Sequence, residues 1–292
     1  MRILLFGGSG QLGWELQRAL APLGELTVAN RAADFAQPQH LSAVVREAAP
    51  DIIVNAAAYT AVDKAESEPD IAHAVNGRAP AVLAREAALL DAWLLHYSTD
   101  YVFDGSGDAP RDEETPTGPL SVYGSSKLRG EDAVRASGCQ HVILRTSWVY
   151  AARGGNFART MLRLAAERDA LRVIDDQIGA PTGADLLADI SAHVLCAVRR
   201  DTSLGGTYHA VASGETSWYG YARFVIEWAR EHGLPVKVAP EAIEAIPTGA
   251  YPLPARRPLN SRLSTCKLRT NFGLVLPAWQ EGVRRMLTEA FR

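Results

Sequence analysis

The sequence predicts an α/β chain built as a Rossmann-type, doubly wound parallel sheet, with a smaller, interleaved C-terminal substrate lobe. Three observations predict it. Short runs that are apolar at every position, such as Ile3 to Phe6 and Ile52 to Val54, alternate with longer segments of helical period. Strands apolar on both faces belong to parallel sheets covered on both sides, with right-handed crossovers. The cluster Gly7-Gly8-Ser9-Gly10-Gln11-Leu12-Gly13 sits between the first such run and the first helical segment. After about residue 150 the alternation loosens. Residues 1–150 are therefore expected to form the dinucleotide-binding unit, with its sheet completed by segments within 171–211. Residues 151–292 are expected to be mostly substrate lobe.

In chain order, Ile3 to Phe6 reads as a buried strand and Gln11 to Leu20 as a helix. Leu26 to Ala29 is a strand, Leu41 to Ala48 a helix and Ile52 to Val54 a strand. The Ala-rich stretch Ala72 to Leu90 is one helix, Trp93 to Tyr97 a strand, Val122 to Ala136 a helix and Val142 to Leu144 a strand. In the second half, helices are expected at Phe157 to Glu167, Leu186 to Val198, Tyr219 to His232 and Trp279 to Phe291. Strands are expected at Leu171 to Ile174 and Tyr208 to Val211. The stretch with Pro247, Pro252, Pro254 and Pro258 is irregular backbone rather than a disordered linker, because apolar residues interleave it. No internal repeat is evident.

The whole-chain properties exclude several classes. The 292 residues are 47% hydrophobic and 22% charged, ordinary for a globular enzyme. A net charge of −3 gives no basic field for nucleic acid or an anionic membrane surface. The three cysteines, Cys139, Cys196 and Cys266, are odd in number and far apart, which argues against a disulfide framework or zinc site and fits a reducing cytosol. Met1 to Phe6 is too short for a signal peptide core or a bilayer span, so a cytoplasmic location is expected.

Gly7, Gly10 and Gly13 follow a GxxGxxG spacing rather than the better-known GxGxxG. A tight strand-to-helix turn needs residues without a Cβ, and it lets backbone N–H groups and the helix N-terminus reach a pyrophosphate. The familiar fingerprint would place an acid at the end of the second strand, where Asn30-Arg31 stand instead. Arg31 reads either as a partner for a 2′-phosphate or as a solvated loop arginine. Asp34-Phe35 follow, a carboxylate for adenine's amino group and a ring to lie against the base, or else a surface turn. After the third strand, Asn55-Ala56-Ala57-Ala58-Tyr59-Thr60 offers small side chains where backbone can approach a ligand; close helix–sheet packing would need the same residues.

The chemistry is carried by Tyr123-Gly124-Ser125-Ser126-Lys127 on a predicted helix. A spacing of four puts phenol and ammonium on one face. A nearby positive charge favours phenolate and brings the group toward acid/base service near neutral pH. Tyr-x-x-x-Lys alone is a common chance pattern. It gains weight from the preceding glycine loop and from Ser98-Thr99 closing the fourth strand, where Thr99 can hold a substrate oxygen beside Tyr123.

Gly7/Gly10/Gly13, Thr99 and Tyr123/Lys127, in this order, resemble the extended short-chain dehydrogenase/reductases that act on nucleotide sugars. Longer runs resemble the dTDP-4-dehydrorhamnose reductase family within them: Asn55 to Pro69, His96 to Phe103, Arg145 to Tyr150, Asp176 to Gly183 and Arg257 to Leu263. The resemblance spans essentially the whole chain. It implies reduction of the C4 ketone of dTDP-4-dehydro-L-rhamnose by NADPH or NADH, the last step of dTDP-L-rhamnose synthesis for surface glycans such as the O-antigen. Tyr123 would donate the proton, Lys127 would lower its pKa and hold the nicotinamide ribose, and Thr99 would orient the carbonyl. It further implies cofactor contacts at Gly10, Gln11, Leu12, Asn30, Asp34, Phe35, Ala58, Tyr59 and Thr60, and substrate contacts at Thr99, Asp100 and Trp148. Trp148 would stack on the deoxysugar, core packing being the other reading. Arg257 and Arg262 are candidates for the substrate diphosphate, since guanidinium forks match phosphate oxygens; ion pairing between lobes competes with that reading. Family members similar in this respect bind Mg²⁺ at a homodimer interface. The matching acids here are Glu15, Asp185 and Glu289, where the aspartate at 185 reaches less far than the glutamate of the pattern.

Three rival readings share parts of this pattern. A nucleotide-sugar dehydratase needs an added acid and base, and relatives of that kind carry Thr-Asp-Glu where this chain has Thr99-Asp100-Tyr101. A 4-epimerase would retain NAD and return the hydride, so the purified protein would contain cofactor. A non-catalytic, cofactor-binding regulatory subunit is disfavoured by intact Thr99, Tyr123 and Lys127.

Overall fold

The computed structural model describes residues 1–29 and 33–291. The first half runs β1 (Arg2–Phe6), α1 (Gln11–Leu20), β2 (Glu25–Val28), α2 (Leu41–Ala48), β3 (Ile52–Asn55), α3 (Val62–Ala65), α4 (Pro69–His73), α5 (Ala79–Leu89), β4 (Trp93–Thr99), α6 (Val122–Ala136) and β5 (His141–Thr146). The second half runs β6 (Val149–Tyr150), α7 (Phe157–Glu167), β7 (Leu171–Ile174), β8 (Ile178–Gly179), β9 (Thr182–Gly183) and α8 (Ala184–Val198). It closes with β10 (Gly206–His209), β11 (Thr216–Ser217), α9 (Trp218–Glu231), β12 (Ile243–Ile246), α10 (Cys266–Phe272) and α11 (Trp279–Phe291).

Six parallel strands form the central sheet in the order β10-β5-β4-β3-β1-β2. Because β1 lies between β2 and β3, the strand order reverses there, and a crevice opens beyond the carboxyl ends of β1 and β3. One face of the sheet is covered by α1 and α8 through Leu16, Leu20, Leu187, Val194 and Leu195. The other face is covered by α2, α5 and α6 through Leu41, Val45, Leu83, Ala87 and Val134. Both faces being buried is why β1 and β3 read as apolar runs, whereas the edge strand β2 is largely exposed.

Within the second half, α8, β10 and α10 join the sheet unit, α10 through Leu268, while α7, α9 and α11 build a separate core. Tyr221, Val225 and Trp228 of α9 pack on Leu162 of α7 and on Trp279, Val283 and Leu287 of α11. The expected strand Leu171–Ile174 lies here, paired in parallel with β12 rather than with the central sheet. The proline-rich neighbourhood hides β12 in the sequence, and the short helices α3 and α10, of 4 and 7 residues, are too short to show a helical period.

The helix expected over Ala72 to Leu90 is interrupted. A π turn at Ala74–Arg78 separates α4 from α5, and the Ala79 N–H bonds back to the Ala74 carbonyl. Pro80 explains it. Proline has no N–H to give the Asn76 carbonyl four residues earlier, and its ring crowds that oxygen, so the turn widens. The freed Asn76 carbonyl then faces Gly130 of α6, where a Cβ would come within 2.2 Å of it.

Candidate active site

The loop after β1 is shaped by three glycines with different tasks. Gly7 has φ +79°, and a Cβ there would lie 2.5 Å from the Ala57 backbone nitrogen, so only glycine lets the β1 and β3 loops touch. A Cβ on Gly13 would lie 2.0 Å from the Gly7 carbonyl oxygen, so its absence seats α1 under the loop. Gly10 caps α1 without a side-chain hydrogen bond, which leaves the first-turn N–H groups for an anion. A cavity of about 440 Å³ opens at this point, bounded by Gly7, Gly10, Asp34, Phe35, Ala58 and their neighbours. The bare backbone and the helix N-terminus fit a dinucleotide pyrophosphate.

Several expected cofactor contacts have side chains engaged within the chain. The Gln11 amide donates to the Gly155 carbonyl at 2.8 Å. Leu12 packs its side chain against the core, so only its backbone is available to a ligand. The Tyr59 hydroxyl donates to Glu68 at 2.8 Å, and its backbone N–H to the buried Asn76 side chain at 2.9 Å. Thr60 is exposed, and Phe35 is largely buried edge-on against Phe6. Asn30 and Arg31 lie outside the described residues. Ser9, Ala33, Ala56, Ala57 and Val75 complete the cavity wall. Ser9, Ala56 and Ala57 lie within the glycine and alanine runs, whereas Ala33 and Val75 carry no motif in the sequence.

At the carboxyl end of β4, Thr99, Asp100, Tyr123 and Lys127 come together. Ser121 caps α6 by accepting from the Gly124 N–H at 3.2 Å. A Cβ at Gly124 would come within 2.2 Å of the Tyr101 carbonyl oxygen, so the glycine between Tyr123 and Lys127 brings the helix onto the turn after β4. Thr99 donates to Asp100 Oδ1 at 3.0 Å and accepts from the Tyr101 N–H at 3.2 Å. Tyr101 stands edge-on to Tyr123, ring centroids 5.5 Å apart. Burial pushes the Tyr123 phenol up to about 12, and the Thr99 hydroxyl offsets part of that rise. The expected lowering of the phenol by Lys127 is overridden, because Lys127 Nζ donates to the Tyr97 carbonyl oxygen at 2.6 Å and desolvation of the ring dominates. Lys127 is itself pushed down by burial to about 8, against an upward pull from Glu131.

On the substrate side, a second cavity of about 490 Å³ lies between the turn after β4 and the irregular C-terminal stretch, bounded by Asp104, Gln177, Thr248, Tyr251, Arg256 and Arg257 among others. Most of these residues carry no motif of their own and meet only through the fold. Arg257 is forked onto Asp63 at 3.0 and 2.8 Å, and Arg262 pairs with Glu215 at 2.7 Å, so both guanidiniums tie segments together. Trp148 is half-buried with φ +50°, a conformation rarely adopted by a bulky side chain. Its ring stacks on Trp218 at 3.7 Å. Trp218 in turn donates from Nε1 to Gln177 in the cavity wall at 3.1 Å. Core packing and a place near the cavity are thus combined in one residue.

Among the described residues of one chain, no three His, Cys, Asp or Glu side chains gather as a metal centre. Glu15 contacts Arg18 at 3.4 Å, Asp185 lies 3.6 Å from Arg285, and Glu289 is exposed. No helix among these residues is long and apolar enough to cross a membrane.

Comparison with known proteins agrees with this geometry. Residues 1–291 match the family model of the RmlD substrate binding domain. The chain is 55% identical over 296 residues to a dTDP-4-dehydrorhamnose reductase of Escherichia coli K12, covering 100% of this chain and 98% of that one. It is 54% identical, with the same coverage, to the dTDP-4-dehydrorhamnose reductase of Shigella flexneri. A crystal structure of the Bacillus anthracis dTDP-4-dehydrorhamnose reductase in complex with NADP superposes with a TM-score of 0.88 at 36% identity, covering 99% of each chain. The chain belongs to the dTDP-4-dehydrorhamnose reductase family of NAD(P)H-dependent oxidoreductases.

Proposed function

We propose that this chain reduces the C4 ketone of dTDP-4-dehydro-L-rhamnose to the alcohol of dTDP-L-rhamnose, with Tyr123 as the proton donor. The observation that carries the assignment of roles is the convergence of Thr99, Tyr123 and Lys127 at the end of β4. The nicotinamide, when bound, supplies the hydride that adds to C4. As it adds, the carbonyl π electrons move onto oxygen. A phenol with its pKa near 12 is fully protonated at neutral pH, and an alkoxide is a stronger base than a phenolate, so the proton passes from Tyr123 to the new oxygen. Solvent then reprotonates the phenolate.

The surrounding residues prepare this transfer. Thr99, already fixed by Asp100 and the Tyr101 N–H, orients the carbonyl oxygen. Lys127 holds the nicotinamide ribose and its charge stabilises the transient phenolate. Gly7, Gly10, Asp34, Phe35 and Ala58 hold the adenosine diphosphate end of the cofactor. Arg31, in place of an acid, favours the 2′-phosphate of NADPH. The 490 Å³ cavity accepts the nucleotide end of the substrate, with Arg257 at its rim, and the Trp148–Trp218 stack is tied to its wall residue Gln177 through Trp218 Nε1. Tyr101 stands where a dehydratase needs a glutamate, which supports reduction over elimination. The reading extends to a cytoplasmic homodimer, in which acids of two chains (Glu15, Asp185 and Glu289) share a structural Mg²⁺ that one chain alone does not gather.

The test is direct. Purified protein mixed with NADPH and the 4-keto sugar nucleotide should consume the nicotinamide absorbance stoichiometrically. Tyr123→Phe should bind cofactor normally and lose about 10²- to 10⁴-fold in turnover. Turnover of the phenylalanine variant at the parent rate would remove Tyr123 from this role.

A further inference from the structure

Behind the catalytic face of α6 lies a buried charge cluster that the mechanism above leaves without a task. Tyr123, Lys127 and Glu131 occupy successive turns of one helix face, each four residues from the last. Glu131 is 0% exposed and Lys127 and Arg145 are 3% exposed. Arg145 on β5 grips both oxygens of Glu131, Nε to Oε1 at 2.9 Å and Nη2 to Oε2 at 2.7 Å, and Arg135 adds a third bond at 2.9 Å. Arg145 pairs in register with Ser98 of β4, and its neighbour Thr146 pairs with Thr99. The fork therefore links the helix that carries the acid to the strand pair that carries Thr99.

Buried ion pairs rarely improve stability over apolar packing, because desolvation of both charges opposes their attraction. Neighbouring layers of the same face are filled by Val134, Leu83 and Ala87, so an apolar solution was structurally available here. We propose that Glu131 is a positioning residue for the reduction, clamped by Arg145 so that it fixes the orientation of the Tyr123–Lys127 face and keeps Lys127 an ammonium. The inference rests on the reductase reading of Tyr123 and Lys127, and it assigns the charge that the lysine needs.

Lys127 has donated to a neutral carbonyl, not to a carboxylate, so its charge depends on more distant groups. Burial lowers it to about 8, and the carboxylate of Glu131, one helix turn away, opposes that fall. The groups facing it from other elements do not replace Glu131. His96 on β4 is held neutral by burial, and Arg145 on β5 is a like charge. Asp100, on the turn after β4, has its carboxyl pushed up to about 6 and is bonded to Thr99. On the outer side, Glu66 after α3 accepts from the Val122 N–H at the helix start, and His73 of α4 faces Arg78 and Arg129. Glu131 keeps its own proton off despite burial, because the two arginines stabilise its carboxylate.

Glu131→Gln preserves shape and an oxygen for Arg145 while removing the charge. Affinity for NADPH, measured by fluorescence titration without substrate, is expected to fall on an alkaline limb set by Lys127. In Glu131→Gln that limb should move down by about one pH unit, because a like charge on Arg145 is left uncompensated. The alkaline limb of kcat should follow. Arg145→Gln should move both limbs in the opposite direction, since the carboxylate is then less neutralised. Melting temperatures accompany each titration, and Arg145→Gln decides the matter if Glu131→Gln does not fold. A merely structural ion pair would lower the melting temperatures and leave both limbs at the parent's pH, which overturns the proposal, as would movement of the two variants in the same direction. Because cofactor binding is read without the sugar, failure of the parent to reduce the keto sugar would overturn the functional reading separately.

Discussion

Asp100 is 2% exposed at the turn after β4, where burial pushes its carboxyl up to about 6 against hydrogen bonds that lower it. An unfolded aspartate titrates near 3.9. The proton is therefore held more tightly by the folded chain, and this side chain's contribution to stability is greatest below about pH 4. It is lost as pH rises through about 6, by at most about 3 kcal/mol. Asparagine keeps the volume and an oxygen for Thr99 but does not titrate. Asp100→Asn should thus gain stability relative to the parent between pH 4 and pH 7, read as urea midpoints at the two pH values, and lose activity. An equal difference between variant and parent at both pH values would show that Asp100 is charged at no cost. The same residue scale separates what motifs reveal from what they do not. The proposed roles of Tyr123, Lys127 and Thr99 are legible because that chemistry demands particular side chains at fixed spacing. Glu131 and Arg145 look in sequence like ordinary helix and strand charges, and only their burial against each other marks them.

The elements that carry the site were legible where local pattern and tertiary role agree. Helices α6, α7 and α11 begin and end where their periodicity places them, and β1 follows its apolar run closely. Tertiary contact won elsewhere. Strands β4 and β5 extend beyond their apolar centres through Ser98-Thr99 and Arg145-Thr146, because each pairs with the other along the sheet rather than by its own hydrophobicity. The π turn before α5 follows from Pro80, a signal present in the sequence but masked by the surrounding alanines. The glycine loop gives a sharper test of how α1 is seated. Gly13→Ala places a methyl 2.0 Å from the Gly7 carbonyl, which is backbone and cannot swing aside. Overpacking of this kind costs about 1–3 kcal/mol. The variant should melt earlier and lose NADPH affinity by tenfold or more in a fluorescence titration, since about 1.4 kcal/mol is one decade. Unaltered affinity in a folded variant would mean that the loop does not bear on the cofactor.

At the scale of the molecule, the boundary near residue 150 is a change of pattern more than a cut between independent units. Helix α8 covers the α1 face of the sheet, and β10 pairs with β5 at its edge. Arg257 crosses back to Asp63, and the Asn260 N–H donates to the Gly105 carbonyl. A fragment of residues 1–150 would lose that covering and expose Leu16, Leu95, Val142 and Leu144. It should show no cooperative thermal transition and should bind hydrophobic dye. A fragment that melts cooperatively and binds NADPH would establish the first half as a self-sufficient domain.

The sequence by itself determined the architecture and the placement of the proposed reacting groups, for physical reasons that act locally. Period-free apolar runs require a doubly covered sheet, a glycine loop requires close backbone approach, and a Tyr-x-x-x-Lys spacing puts phenol and ammonium on one helix face. The tertiary structure alone decided how those groups are tuned and what surrounds them. Desolvation holds the Tyr123 proton and weakens the Lys127 charge, and neither effect exists until the helix is packed. The Trp148–Trp218 stack, the Arg257–Asp63 fork and the Glu131–Arg145 clamp join residues that no local rule connects, because burial and charge compensation are properties of the folded space and not of spacing along the chain.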